Sequence, residues 1–318
     1  MILVTGATGF VGRAVIDSLI NTAYDVRACS RQIDVVFHPS ISLFHTGDLS
    51  ENSDWQQALQ DVNVVIHLAA RVHVMADHSN DPLIECRKVN TAATLNLARQ
   101  AADAGVKRFV FISSIKVNGE DTNTGDKFLP DDDFIPTDPY GLSKYEAEQG
   151  LLDLAKTTGL EVVIIRPPLV YGPGVRANFL SMMKWIYKGV PFPLGAVHNQ
   201  RSLVALDNLV SFIIHCVKHP KAANEIFLIS DNEDVSTTEL LKKVANAFGK
   251  KAFLLPVPVG LMKFAAKLVG KEDVANRLFG SLQVDSSKAK ELLNWEPVIT
   301  MDEQLKKTPD VFLAGKKI

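Results

Sequence analysis

The stretch Thr5-Gly6-Ala7-Thr8-Gly9-Phe10-Val11-Gly12 follows an apolar run at residues 2–5 and leads into an amphipathic segment. Glycines at this spacing predict a tight turn between a strand and a helix, where the backbone can approach a pyrophosphate at the helix N-terminus. We therefore expect the chain to open with a dinucleotide-binding βαβ unit. Its cofactor-binding residues would be Gly6, Thr8, Gly9, Phe10, Val11 and Gly12.

Short apolar runs alternate with longer segments whose apolar residues have helical spacing. This alternation predicts an α/β fold, a Rossmann-type doubly wound parallel sheet with helices on both faces. The predicted strands are residues 2–5, 25–29, 42–45, 62–68, 108–113 and 161–166, and the predicted helices are residues 12–21, 55–60, 84–104 and 140–158.

Proline and glycine become frequent after residue 166, as in Gly172-Pro173-Gly174, and separate helical segments follow. We therefore expect an NAD(P)-binding Rossmann domain over residues 1–166 and a smaller, mainly substrate-binding lobe over residues 167–318. Segments near residues 202–230, including a strand at 226–230, are expected to return to the Rossmann domain.

The composition excludes several classes of protein. With 318 residues, 47% hydrophobic and 22% charged, the chain is neither disordered nor collagen-like. The formal net charge of -2, without a long basic run, makes a nucleic-acid partner unexpected.

The sequence also bears on location. The first residues run directly into the glycine stretch, so we expect no leader, and the apolar segment 254–269 is interrupted by Pro, Gly and Lys. That segment predicts an amphipathic helix after a proline turn, and no membrane partner is expected. Cys29, Cys86 and Cys216 are far apart and predict free, buried thiols and a cytoplasmic protein.

Further cofactor contacts are predicted at the carboxyl ends of the strands, where open α/β sheets bind ligands. The second strand is followed by Arg31 rather than by an acidic residue. A guanidinium there would suit the 2′-phosphate of NADP, but a surface arginine explains it equally well, so NADP and NAD both stay open. The remaining cofactor candidates are Asp48, Leu49, Leu68, Ala69 and Ala70, and with them Asn90, Tyr140 and Lys144, which are taken up below.

Tyr140 and Lys144 stand four residues apart, on one face of a predicted helix. A free phenol has a pKa of about 10, so acid-base work near neutral pH needs positive charge beside it, which Lys144 and an oxidised nicotinamide would supply. Ser114 follows a buried strand and could orient a substrate oxygen against the phenol. The chain shows no His, Cys and carboxylate spacing that suggests a metal.

Taken in order, these motifs and Asn90 resemble the extended short-chain dehydrogenase/reductases of the NAD-dependent epimerase/dehydratase family. The pattern is most similar to its sugar-nucleotide group, which contains UDP-galactose 4-epimerases and UDP-4-keto-hexose reductases of bacterial polysaccharide biosynthesis. The resemblance implies Ser114, Tyr140 and Lys144 as catalytic residues, Asn90 as support for Lys144 through a water, and a homodimer. It implies a UDP-sugar substrate bound by Ser114, Asn178, Arg201 and Arg277.

Two departures from the family pattern help to choose among the activities of the family. Ile115 and Lys116 stand where family 4,6-dehydratases carry an acidic pair, which disfavours dehydration, and the acidic residue that epimerases usually carry after the second strand is missing. The favoured reading is therefore NAD(P)-dependent reduction of a UDP-4-keto sugar at C4. The alternatives are 4-epimerisation of UDP-glucose or UDP-N-acetylglucosamine with bound NAD, and a dinucleotide-binding sensor or scaffold without turnover.

Overall fold

Parallel strands form the centre of the molecule, which a computed structural model describes over residues 1–20, 22–72, 81–123, 125–270 and 272–314. The strands are β1 Ile2–Thr5, β2 Val26–Ser30, β3 Ile41–His45, β4 Val64–His67, β5 Arg108–Ile112, β6 Glu161–Arg166, β7 Leu169–Tyr171, β8 Leu203–Ala205 and β9 Glu225–Leu228. Seven of them make one sheet in the order β3-β2-β1-β4-β5-β6-β9, and each neighbouring pair is parallel. The Rossmann-type fold is therefore confirmed.

Helices cover both faces of this sheet. They are α1 Phe10–Leu19, α2 Pro82–Cys86, α3 Ala93–Asp103, α4 Pro139–Thr158, α5 Ala177–Tyr187, α6 Leu206–Lys218, α7 Thr237–Ala247, α8 Val259–Leu268, α9 Glu272–Phe279, α10 Ser287–Leu293 and α11 Met301–Ala314. Side chains alternate along β1, so Ile2 and Val4 join a core with α1 and α6, whereas Leu3 joins a core with α3 and α4. Because both faces of the sheet are buried, most positions of these strands are apolar, which explains the continuous apolar runs in the sequence.

A π-helical turn, Arg87–Ala92, joins α2 to α3. The three segments together occupy the region for which the sequence predicts a single helix over residues 84–104. Asn90 is the buried residue of the π turn.

A second core lies beyond β6. The short strands β7 and β8 pair in parallel, and their side chains pack with those of α5, α7 and α11. The loop after β5 reaches this part of the molecule, since Phe128 forms a bridge with Val284. In contrast, α6 packs against the central sheet, and β9 is one of its strands.

The expected helix over residues 55–60 is wrong, because the structure forms turns there. Trp55 and Leu59 are buried, which explains their helical spacing, but Arg27 Nη1 donates to three backbone carbonyls of the segment, including Ala58 O at 2.6 Å. Carbonyls that accept from a neighbouring arginine already have a partner outside a helix. By contrast, the three cysteines are buried thiols outside any disulfide, as predicted.

None of the helices in the described ranges combines the length and the apolar character that crossing a membrane would require.

Candidate active site

The glycine turn lies between β1 and α1, beside the loop that leaves β4. Gly6 has φ +66°, and a Cβ at Gly12 would lie 2.1 Å from the Gly6 carbonyl oxygen. Gly9 begins the helix, and no described side chain hydrogen-bonds to cap it there. The first backbone N–H groups of α1 therefore have no side-chain cap among the described residues, which leaves them available to an anionic pyrophosphate. Phe10 and Val11 pack into the cores, and Thr8 is half-buried.

Arg31 and Asp48, both predicted to contact the cofactor, contact each other. Arg31 Nη1 lies 3.1 Å from Asp48 Oδ1, with side chains 70% and 92% exposed. An ion pair this exposed contributes at most about 1 kcal/mol, so it leaves both groups available to a ligand. Leu49 is partly buried and packs against the α3 and α4 core.

Residues Leu68, Ala69 and Ala70 directly follow β4 and stand opposite the glycine turn. A Cβ at Gly6 would lie 2.7 Å from the Ala69 nitrogen, and that nitrogen donates to Thr5 Oγ1 at 3.3 Å. The crevice between β1 and β4 is the point where the strand order reverses, the usual ligand site of such sheets.

His67, the last residue of β4, is fixed below this crevice. Its Nδ1 lies 2.7 Å from Thr5 Oγ1, and its Nε2 lies 2.9 Å from Thr94 Oγ1. Burial, with the nearby Lys144 charge as a smaller cause, lowers the pKa of His67 to about 3. A neutral imidazole that donates to one hydroxyl and accepts from the other therefore links β1, β4 and α3.

Asn90 connects the β4 loop to α4. Its amide accepts from the Arg71 nitrogen at 2.8 Å and donates to the Arg71 oxygen and to Ser143 Oγ, each at 3.0 Å. Ser143 Oγ in turn donates to the Tyr140 carbonyl oxygen at 2.8 Å. Asn90 thus holds the backbone around Tyr140 and Lys144 through Ser143.

Ser114, Tyr140 and Lys144 meet at the carboxyl end of β5. The Ser114 hydroxyl lies close enough to the Tyr140 phenol to lower its pKa, and Lys144 Nζ donates to the Ile112 carbonyl oxygen at 2.8 Å. The same ammonium lies 4.3 Å from the centre of the Phe111 ring. Strand β5 and helix α4 therefore bring together the phenol, the hydroxyl and the ammonium that the sequence singles out.

Burial perturbs the pKa values of both titrating groups. It raises the pKa of Tyr140 to about 12, against the lowering effect of the Ser114 hydrogen bond. It lowers the pKa of Lys144 to about 7, against the raising effect of the Glu148 carboxylate one turn further along α4. A phenol with a raised pKa holds its proton until additional positive charge is brought beside it.

Sequence reasoning missed Asp138, which caps α4 directly before Pro139. Asp138 Oδ1 accepts from the Gly141 nitrogen at 3.1 Å and from Lys116 Nζ at 3.1 Å. An Asp followed by Pro is a recognisable start signal for a helix, so the pair Asp138-Pro139 could have placed Tyr140 in the first turn of α4. Lys116 then ties the segment after Ser114 to that same turn.

The three candidate phosphate contacts lie in the second lobe. Asn178 is exposed in the first turn of α5, and Arg277 is exposed in α9. Arg201 Nη1 donates to the carbonyl oxygens of Arg277 at 2.9 Å and Gly280 at 3.0 Å, and burial lowers the pKa of this guanidinium. The structure therefore brings Arg201 to the backbone of Arg277, and Asn178 stands apart on another helix.

A model of the NAD dependent epimerase/dehydratase family matches residues 2–230. The chain belongs to this family. The resemblance to extended short-chain dehydrogenase/reductases is confirmed, and the match includes the glycine turn, Ser114, Tyr140 and Lys144. Family membership makes this chain an enzyme with a nicotinamide dinucleotide, NAD(P), as its cofactor.

Two relatives within the family carry the names of 4-epimerases. UDP-glucose 4-epimerase of Vibrio cholerae is 50% identical over 316 residues, which cover 99% of this chain and 96% of the relative. The N-acetyl-alpha-D-glucosaminyl-diphospho-ditrans,octacis-undecaprenol 4-epimerase of Escherichia coli O157:H7 is 29% identical and covers 85% of this chain and 81% of its own length.

Solved structures of the family share the fold over nearly the whole chain. UDP-glucose 4-epimerase of Thermotoga maritima, solved with UDP-glucose, has a TM-score of 0.74, 25% identity, and coverage of 99% of each chain. UDP-glucuronic acid 4-epimerase of Bacillus cereus, solved with NAD, has a TM-score of 0.78, 23% identity, and coverage of 98% of each chain.

Proposed function

We propose that this enzyme is a 4-epimerase of UDP-hexoses that uses NAD and acts on UDP-glucose. The observation that carries the proposal is 50% identity over 99% of the chain to UDP-glucose 4-epimerase of Vibrio cholerae. The Ser114 hydroxyl beside the Tyr140 phenol, with Lys144 nearby, supports it as a site for acid-base chemistry.

Epimerisation was the alternative drawn from the sequence, and reduction of a 4-keto sugar was the favoured reading. The relatives described above are named as 4-epimerases, and none supports the reductase. The argument for reduction rested on Arg31 in place of an acidic residue after β2. In the structure Arg31 has a protein partner, the Asp48 carboxylate at 3.1 Å, so this arginine does not by itself call for the 2′-phosphate of NADP.

The residues of the Rossmann half suit NAD. The uncapped N-terminus of α1 and the glycines at positions 6, 9 and 12 would hold the pyrophosphate, and Leu68, Ala69 and Ala70 would line the opposite side of the crevice. Bound there, the oxidised nicotinamide supplies a hydride acceptor at the sugar C4 and a positive charge beside Tyr140.

Tyr140 is proposed to move the proton of the C4 oxygen. As a phenolate it accepts the proton of the C4 hydroxyl while C4 becomes a ketone, and as a phenol it returns the proton when C4 is reduced on the opposite face. Its pKa of about 12 in the free protein means that the phenolate is disfavoured until the nicotinamide charge arrives. The binding of the cofactor and the activation of the base are thereby coupled.

Ser114 and Lys144 support this proton transfer. The Ser114 hydroxyl lies against the phenol, so it can donate to the same substrate oxygen and stabilise the negative charge that develops there. The protonated Lys144 stabilises the phenolate and has hydrogen-bonding capacity for the nicotinamide ribose. Because burial lowers its pKa to about 7, Lys144 gains from any negative charge brought near it.

The second lobe, residues 167–318 apart from the segments in the central sheet, is proposed to bind the UDP part through Asn178, Arg201 and Arg277. Arg201 would exchange its carbonyl partners for phosphate oxygens, or bind phosphate with its remaining N–H groups. We further propose a homodimer through α3 and α4 and, because the cysteines are buried and in no disulfide, a cytoplasmic location.

The first experiment purifies the enzyme without added cofactor, denatures it and identifies the released dinucleotide by mass spectrometry. We expect NAD⁺ in near-stoichiometric amount, since a cofactor regenerated in each cycle can stay bound. The same preparation should convert UDP-glucose to UDP-galactose without added dinucleotide, measured by chromatography of the nucleotide sugars. The Tyr145→Phe variant, which changes another phenol of α4, serves as a control that keeps this activity.

An empty site that takes up NADPH in preference to NADH, with consumption of NADPH by a UDP-4-keto-hexose, would overturn the proposal in favour of the reductase. Bound NAD⁺ without any interconversion of UDP-glucose, UDP-N-acetylglucosamine or UDP-glucuronic acid would overturn the assignment to UDP-hexoses.

A further inference from the structure

Helix α8 is apolar on the side that faces solvent. It contains no buried residue, and Leu261, Phe264 and Leu268 are 60%, 61% and 71% exposed. Their spacing of three and four residues places them on one face of the helix. The opposite side carries Val259 and Met262, which pack against the core of the second lobe. The arrangement is the reverse of an ordinary surface helix, whose outer face is polar.

Helix α9 packs against α8 and extends this surface. Val274 and Leu278, four residues apart, are 50% and 38% exposed, and Val269 between the helices is 67% exposed. We call this surface the α8–α9 face, which comprises Leu261, Phe264, Leu268, Val269, Val274 and Leu278. Large exposed apolar patches on a soluble fold mark sites of interaction.

The segment that carries the α8–α9 face is rich in positive charge. Residues 250–279 contain six Lys and Arg and two Asp and Glu, a net charge of +4, in a chain whose net charge is -2. Lys263 and Lys267, four residues apart, stand on one flank of α8, and both are exposed. Lys267 has a distant carboxylate neighbour, Glu272 at 3.9 Å, and therefore stays accessible to other anions.

We propose that the α8–α9 face docks the enzyme onto an anionic lipid surface. An apolar stripe with lysines along its edge fits the boundary between acyl chains and headgroups, where the stems of Lys263 and Lys267 lie along the apolar layer and their ammonium groups reach the phosphates. The contact is peripheral and leaves the fold intact. From the sequence, no membrane partner is expected because no membrane-spanning segment is found. The proposed peripheral contact replaces that expectation.

Flotation of the full-length enzyme with lipid vesicles tests this proposal. Vesicles of phosphatidylcholine with phosphatidylglycerol should carry the enzyme upward at low salt, and vesicles of phosphatidylcholine alone should carry much less. Raising the salt concentration should weaken the binding, because the charged part of the interaction is screened.

Two sets of variants separate the apolar and the charged contributions. Leu261→Ser with Phe264→Ser, and separately Lys263→Glu with Lys267→Glu, should each lower the vesicle partition coefficient by at least about tenfold. The matched controls are Val298→Ser, which changes an apolar residue 63% exposed elsewhere, and Lys221→Glu with Lys306→Glu, which makes the same charge change outside the face. Circular dichroism and the turnover number should match the parent enzyme in all four variants.

Four results would overturn the proposal. The first is no flotation with either vesicle, and the second is equal binding to neutral and anionic vesicles. The third is self-association, measured by light scattering, that Leu261→Ser with Phe264→Ser abolishes while vesicle binding is absent, which would assign the face to a second copy of the chain. If the charge-reversed variant keeps its fold but loses binding no more than its control does, the proposal also fails.

Discussion

The carboxyl ends of strands β1, β4 and β5, called the sheet edge below, and the second lobe present their candidate residues in opposite ways. At the sheet edge, His67, Asn90 and Lys144 are at most 1% exposed, and each has hydrogen-bond partners within the protein. In the lobe, Asn178 and Arg277 are exposed, and Arg201 donates to backbone carbonyls.

This difference shows whether the polar groups of each region are hydrogen-bonded within the protein before a ligand binds. The ends of parallel strands place buried polar groups in one crevice, and those groups must be satisfied within the fold before any ligand arrives. The lobe leaves Asn178 and Arg277 to solvent, and backbone carbonyls hold Arg201. Loss of a residue at the sheet edge should therefore affect chemistry or stability, whereas loss of one in the lobe should affect substrate binding alone.

The largest effect is expected for Tyr140→Phe. Removal of the phenolic hydroxyl takes away the proposed proton carrier, so turnover should fall at least about 100-fold, a low value for acid-base catalysis. The content of bound dinucleotide should stay unchanged, because the cradle at α1 is untouched. Initial rates with UDP-glucose and the released cofactor measure the two quantities. Turnover close to that of the parent would remove Tyr140 from the mechanism.

The next effect concerns the glycine turn. In Gly12→Ala the new methyl group would meet the Gly6 carbonyl oxygen at 2.1 Å, so the free energy of unfolding should fall by about 1–3 kcal/mol and dinucleotide affinity should fall with it. Urea denaturation and a fluorescence titration with NADH measure these changes. Gly260→Ala is the control, since nothing lies within 4 Å of its added Cβ, and helix propensity should stabilise it by up to about 1 kcal/mol. Equal stability of both variants would contradict a close-packed turn.

His67 should make the free energy of unfolding depend on pH. Its pKa of about 3 lies below the ordinary value of 6.5, so the unfolded chain takes up the proton first and stability declines as the pH falls below 6.5. Between pH 7.5 and pH 5.5 the parent should lose about 1.4 kcal/mol more of its unfolding free energy than His67→Gln does. Urea denaturation at the two pH values measures this difference. Parallel pH profiles for the two proteins would mean that His67 titrates normally.

The smallest effect on the fold is expected in the lobe. Asn178→Ala should change the free energy of unfolding by no more than about 0.5 kcal/mol, because the residue is exposed. It should raise KM for UDP-glucose and leave kcat close to the parent value, the pattern of a residue that binds the ground state and the transition state equally. Ser181→Ala, an exposed change on the same helix, is the control. A fall in kcat at constant KM would break the division between the two regions.

The sequence predicts the sheet edge well because the signals there are local. The strands expected at residues 2–5 and 161–166 have the bounds of β1 and β6, and the other predicted strands of the sheet differ from the observed ones by one or two residues at their ends. The order of glycine turn, strand ends and helix start follows from chain direction in a parallel sheet.

Other features depend on contacts between distant segments and leave no local signal. The pairing of Arg31 with Asp48 joins loops after two different strands, and Arg201 meets carbonyls 76 and 79 residues further along the chain. The turn at residues 55–60 has the apolar spacing of a helix, and the distant residues Arg27 and Gln100 hold its backbone. The exposed apolar stripe of α8 is equally invisible in sequence, because periodicity does not tell which face of a helix lies outward.

The π turn at Arg87–Ala92 should make the helical segment around it more sensitive to the insertion or deletion of a residue than other helices of this enzyme. One residue more or fewer rotates everything on one side of a helix by about 100° relative to the other side. Deleting a residue here would restore a regular helix but turn Asn90 away from Arg71 or from Ser143. In a collection of random insertions and deletions, the helical segment around Asn90 should therefore be among those that lose every length variant, even though α8 on the surface accepts them.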